Sequence, residues 1–397
     1  MPVPEPAGIL LHHRLLPGLA RISAEKPGRL GYGVTMRAPA TFGLALSVVL
    51  AVALPAAGCG GDDGGPCDPT REPCTFARDV STVTIPGGVE DEDTCQSWTL
   101  DNPTELWVNA VTEQNGGAYH HANWFFVPDN LYPLPDGTWR CSDHGFAELN
   151  AAVVGGYLFA LSTQSEAETQ ALPEGSAIRI PPYSRIIGSS HLLNASSEPV
   201  TSTMNLQIHT IPPAQVQAKM APARIQYHDL TLDPMARSSF TVECLLDEAH
   251  QIQLGRPFAY ELHYVLSHYH GLGSYAQLEI AGGPRDGEVI MRHDGFGENF
   301  GVAIDPPLDL GAAGARGVRF TCGFLNPRDV QVGWGIGDQE MCVVALQART
   351  DLAWDGDVRR GTGARTGTGA DGEVQYGGPC DLLAFAWDFE KAGGPPR

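Results

Sequence analysis

Apolar residues in this chain come in short runs cut off by glycine and proline, and that punctuation restricts it to strands more than to helices. Residues 156–163, 203–210 and 317–325 are examples, and 47 glycines and 31 prolines among 397 residues supply the breaks. No long stretch beyond an N-terminal apolar segment repeats with helical period. Many short strands at near-regular spacing predict an all-β chain of antiparallel sandwiches or jelly rolls. A single core seldom grows past about 250 residues, so two consecutive sandwich domains are expected. They are placed at residues 79–217 and 218–392, joined through 216–236, and the Arg-, Gly- and Thr-rich residues 355–378 read as a long exposed loop.

The N-terminus reads as an export signal. Residues 1–35 carry no periodic pattern, whereas Met36-Arg37 followed by the apolar residues 42–54 has the n-region and h-region of a signal peptide, with Met36 as the expected start. An h-region of this length is too short for a stable span. It ends in Ala56-Ala57-Gly58-Cys59, similar to a bacterial lipobox, so residues 1–58 are expected to be removed and Cys59 lipidated. Ordinary secretion with cleavage nearby is the alternative. Residues 59–78 then form a flexible tether beginning with a Gly/Asp run.

Nine cysteines less Cys59 leave an even number, as a disulfide framework in an oxidising compartment requires. No C-x-x-C is present, so zinc has little support. A net charge of −21 disfavours nucleic acid and anionic membrane surfaces as partners, leaving the lipid as the membrane contact, and would modestly favour cationic substrates. There is no P-loop, no G-x-S-x-G and no H-E-x-x-H.

Metal-ligating residues are better represented. His268-Tyr269-His270-Gly271-Leu272-Gly273 ends a run rich in aromatic and branched residues, and strand residues two apart share a face, so His268 and His270 can hold one ion. Met341, in Glu340-Met341-Cys342, offers a soft thioether, and two imidazoles with a thioether favour Cu(I). Upstream stands His120-His121. Adjacent strand residues point to opposite faces, so these rings meet at one metal only if the backbone bulges or the rings use different nitrogens. His191 is a third candidate; His144, His209, His228, His250, His263 and His293 compete, and read as surface or satisfied strand residues.

The order of these motifs, His-His, a single His, H-x-H, then Glu-Met-Cys, resembles the copper type II, ascorbate-dependent monooxygenases over roughly residues 84–389. That family includes dopamine beta-monooxygenase and the peptidylglycine alpha-hydroxylating monooxygenase. The resemblance implies two copper ions. One would be held by His120, His121 and His191 in the first domain for electron storage, the other by His268, His270 and Met341 in the second for O2 and substrate hydroxylation. It also implies the pairings Cys95–Cys141, Cys244–Cys380 and Cys322–Cys342, with Cys67 and Cys74 then joined across a short loop. A small-molecule substrate, a one-electron donor such as ascorbate and a monomeric chain in the bacterial cell envelope are expected. Peptide amidation is not: where amidating members carry Arg, Asn and Tyr, this chain has Leu266, Val343 and Ala345, and Ser189 replaces a Gln before His191. Two other readings stay open, a non-catalytic periplasmic copper-binding lipoprotein and an adhesive sandwich whose histidines are incidental.

Overall fold

The computed structural model describes residues 67–161, 165–297 and 300–391. Residues 1–66, and with them the signal segment, Cys59 and the start of the tether, lie outside the described residues, while the end of the expected tether, from Cys74, belongs to the strand Cys74–Ile85. Strands dominate. Only two short α-helices, Glu148–Val154 and Asp247–Leu254, and two 3-10 turns interrupt them among the described residues.

Two β-sandwiches follow one another. In the first, a six-stranded sheet containing Cys74–Ile85, Val200–Thr210 and Leu106–Gln114 faces a five-stranded sheet ordered Gly137–Arg140, Val89–Thr99, Ser184–Asn194, Tyr119–Pro128, Gly156–Ala160. Their inner faces bury Trp124, Tyr119, Phe126, Phe159, Leu206 and Ile208 in one core. In the second, the six-stranded sheet Gly301–Asp309, Glu261–His268, Val343–Arg349, Ala221–Tyr227, Leu352–Val358, Asp381–Ala386 packs on another built around Gly273–Ala281, Gly317–Asn326 and Ala236–Leu245. Phe240, Phe320, Phe324, Leu262, Val344 and Leu346 fill the space between. Alternation along each strand sends every second side chain inward, as in Ala221–Tyr227, where Ala223, Ile225 and Tyr227 enter this core.

The chain passes between the sandwiches at Met220: Lys219 pairs with Ala177 in the first, and Ala221 with Ala348 in the second. The two sandwiches form one compact unit. Ser176 Oγ meets His263 Nδ1 at 2.8 Å between them, and Arg179 donates to the carbonyl of Lys391 at 3.0 Å.

Two features differ from the sequence expectation. Residues 355–378 are not one exposed loop: they contain the end of Leu352–Val358 and a hairpin of Ala364–Thr368 with Val374–Pro379. Val374–Pro379 also runs parallel to Ala236–Leu245, and Leu352–Val358 runs parallel to Ala221–Tyr227, so the ladders are mostly rather than wholly antiparallel. The reason is that partners so distant in sequence leave no mark on local periodicity.

The four disulfides are Cys67–Cys74, Cys95–Cys141, Cys244–Cys380 and Cys322–Cys342, with Cα separations of 5.1 to 5.9 Å. Cys322–Cys342 joins the strand Gly317–Asn326 of one sheet to the entry of Val343–Arg349 in the other. Gly356 lies against the Cys244–Cys380 bridge, where a Cβ would come within 2.6 Å of the Cys244 sulfur, so only glycine fits there.

Candidate metal centre

His120 and His121 lie on Tyr119–Pro128, and the register of this strand against Ser184–Asn194 shifts between Tyr119 and His121. One residue more on this strand than on its partner makes a bulge, which adjacent histidines need in order to share a site. Tyr119, Ala122 and Trp124 keep the core face. His121 stands opposite His191 in the ladder.

His268 ends the strand Glu261–His268, and the turn beyond it is set by packing. Tyr269 points away into the second core, fully buried and stacked on Phe300 at 4.7 Å, and its hydroxyl donates to the Gly295 carbonyl. Gly273 closes that turn because a Cβ there would come within 1.9 Å of the Tyr269 ring. His268 pairs with Val343, two residues beyond Met341.

These elements bring five imidazoles together from two sandwiches. Ring centroids lie 4.9 Å apart for His120 and His191, 4.9 Å for His121 and His191, 5.2 Å for His120 and His270, 5.3 Å for His121 and His268, and 5.2 Å for His268 and His270. One nitrogen from each of His121, His268 and His270 falls within 4.8 Å of the others, so this trio already mixes the two sandwiches. Met341, half-buried, lines the same cavity as His121, His191 and His268.

The ring nitrogens are assigned by their outer partners. His270 Nδ1 donates to the Gln339 carbonyl at 2.9 Å, and Glu90 Oε1 accepts from His191 Nε2 at 2.8 Å. That leaves His270 Nε2 and His191 Nδ1, together with His121 Nε2, buried and without a hydrogen-bond partner. A buried polar atom without a partner is costly, whereas a lone pair aimed into an imidazole cluster is what a borderline metal takes. Burial, with the neighbouring imidazoles second, holds His121 well below the usual histidine range and His270 down to about 3. Burial and His120 lower His191 too, against the pull of Glu90. These three rings are therefore neutral at physiological pH, the form that ligates. The donor set fits copper: imidazoles with one soft thioether beside them.

Glu340 is the group that inspection of the motifs passes over. Only 1% exposed, it accepts from the His270 amide at 2.8 Å and the Leu272 amide at 2.7 Å, and burial pushes its carboxyl up to about 7. Glu90 was equally hidden, because it sits in the run Glu90-Asp-Glu-Asp93 that composition reads as solvated.

The cavity beside the cluster has a volume of about 550 Å³, ample for a small molecule. Phe125, Tyr157, Trp334, Trp354 and Phe385 give it an aromatic lining. Arg224, on its wall, is held by Asp355 through Nε at 2.8 Å and Nη2 at 3.2 Å. His228, also on the wall, bonds Asp357 at 2.7 Å through Nδ1. Of the other competing histidines, His263 is taken up by Ser176 and Glu261, His209 by Thr75 and Thr112, and His250 is buried on the helix Asp247–Leu254.

No family model and no curated protein matches the chain. Among solved structures it is similar to the major capsid protein P2 of bacteriophage PM2, at 10% identity and a TM-score of 0.27, over 70% of this chain and 97% of that one. It is also similar to PBCV-1 VP54 fitted into a reconstruction of the virophage Sputnik, at 6% identity and a TM-score of 0.23, over 70% and 94%. A third likeness is to PNGF-II, at 11% identity and a TM-score of 0.20, over 72% and 62%. At such TM-scores these likenesses carry no argument.

Proposed function

We propose that this protein is an exported copper-dependent monooxygenase that hydroxylates a C–H bond of a small-molecule substrate, using O2 and a one-electron reductant such as ascorbate. The observation that supports it most is the convergence of five imidazoles from two sandwiches, three of which, His121, His191 and His268, line one cavity together with Met341. His120, His121 and His191 would hold one copper, and His268, His270 and Met341 the other. Bound copper would supply one-electron redox chemistry and reduction of O2. The chain's own part is to keep the imidazoles neutral, to fix their ring nitrogens through Glu90 and Gln339, and to hold the substrate against an aromatic lining.

The cavity favours an enzyme over a copper carrier, since storage needs ligands but no apolar chamber of about 550 Å³ beside them. It also speaks against peptide amidation. Leu266, Val343 and Ala345 are cavity residues, and the guanidinium of Arg224 is already engaged by Asp355, so among the described lining residues a substrate carboxylate finds no free guanidinium or ammonium.

Four disulfides fit an oxidising compartment, and among the described residues no helix is long and apolar enough to cross a membrane. Lipid anchoring through Cys59, in a bacterial cell envelope, belongs to the same proposal.

X-ray absorption at the copper edge of the reduced protein, with oxygen uptake in ascorbate, tests the function. A sulfur scatterer is expected in the wild type. Met341→His should keep copper and lose oxygen uptake, because imidazole replaces the thioether that favours Cu(I). A reduced wild type with no sulfur neighbour, or a Met341→His variant with undiminished uptake, would overturn the assignment.

A further inference from the structure

We propose that Glu340 is the positioning residue of the His268, His270, Met341 site, a single buried carboxylate that fixes the thioether against the two imidazoles. The proposal rests on the copper reading above. Its basis is geometric. Glu340 Oε2 accepts from the amide of His270 and Oε1 from the amide of Leu272, so both oxygens are spent on the turn that carries the H-x-H pair. Met341 follows Glu340 directly in the chain, so what fixes Glu340 also fixes the backbone of Met341. One side chain thus ties the backbone of a ligand on one loop to the backbone of a ligand on another, 70 positions away.

The surrounding loop holds Glu340 rigidly. Its amide donates to the Gly333 carbonyl at 3.0 Å, its carbonyl accepts from Gly335 at 3.1 Å, and Gln339 Oε1 accepts from the Gly333 amide at 2.7 Å. Gln339 in turn gives its carbonyl to His270 Nδ1. Cys342, bonded to Cys322, pins the other side of Met341. The same loop reaches the first sandwich: a Cβ on Gly337 would sit 3.0 Å from the carboxylate oxygens of Glu90, the residue that orients His191. Burying a carboxylate is expensive unless its oxygens are fully used, and here both are used on the turn that carries the H-x-H pair.

Glu340→Gln tests this. An amide has one acceptor oxygen, and its NH2 turns a donor toward an amide that also donates, so one of the two ties to the turn must break. The purified protein should then bind Cu(I) weaker by roughly ten- to a hundredfold, with Cu(II) affinity changed by less than about threefold, and the sulfur scatterer of the reduced form should be lost. In the metal-free variant the amides of His270 and Leu272 should exchange hydrogen faster. Glu340→Asp keeps both acceptor oxygens on a shorter stem; it should fall between wild type and Gln, and it is the variant to use if Gln does not fold. A residue with a merely structural role would lower Tm and leave the ratio of Cu(I) to Cu(II) affinity unchanged, which overturns the proposal. So does a folded variant that retains the sulfur scatterer and wild-type Cu(I) affinity, while the copper reading stands. A wild type that binds no Cu(I) overturns both.

Discussion

His121 and His268 belong to different sandwiches, yet their rings lie 5.3 Å apart with planes inclined at 69°. The two proposed copper sites, one using His121 and the other His268, would therefore adjoin across the boundary between the sandwiches. Copper added to the wild type should raise Tm, since a ligand that binds only the native state at a hundredfold excess over its Kd stabilises by roughly 2.7 kcal/mol. His121→Ala should cut that copper-dependent rise by half or more. Differential scanning calorimetry with and without Cu(I) measures it, and an equal rise in the variant would remove His121 from the ligands.

The Cys322–Cys342 bridge closes a loop across 20 positions and ends beside Met341. Replacing both cysteines by serine should cost about 2–4 kcal/mol in urea unfolding and weaken Cu(I) binding with it. The same double change at Cys67 and Cys74, only 7 positions apart, should cost less and leave Cu(I) affinity untouched. Copper binding that falls equally in both pairs of variants would show that the effect is general loosening.

Glu113, fully buried in the first sandwich, accepts from Trp124 Nε1 at 2.8 Å, and burial pushes its carboxyl up to about 8. The native state keeps this proton over a range in which the unfolded chain, with a carboxyl near 4.5, has lost it. Folding therefore takes up a proton there, and the contribution of this group to stability falls as pH rises from about 4.5 to 8, by a few kcal/mol. Glu113→Gln should flatten that part of the profile and gain most at pH 8. Urea unfolding at pH 5 and pH 8 decides it, since equal slopes in wild type and variant would mean that Glu113 is ionised in the fold.

From the sequence alone one reads the sandwiches, because glycine and proline break apolar runs locally and alternation is a property of neighbours. The parity of the cysteines and the face shared by His268 and His270 are legible for the same reason. What selects five of the 13 histidines is of another kind. The bulge at His120 exists only against the register of Ser184–Asn194, and the clamp of Glu340 only because a turn 70 positions away offers it two amides. The hairpin within 355–378, read locally as loop, becomes sheet by lying parallel to Ala236–Leu245. Each depends on hydrogen bonds between segments distant along the chain, and such bonds leave no period in the sequence; the tertiary structure decides them because a buried amide, carboxylate or imidazole must find its partner wherever the fold brings one within reach.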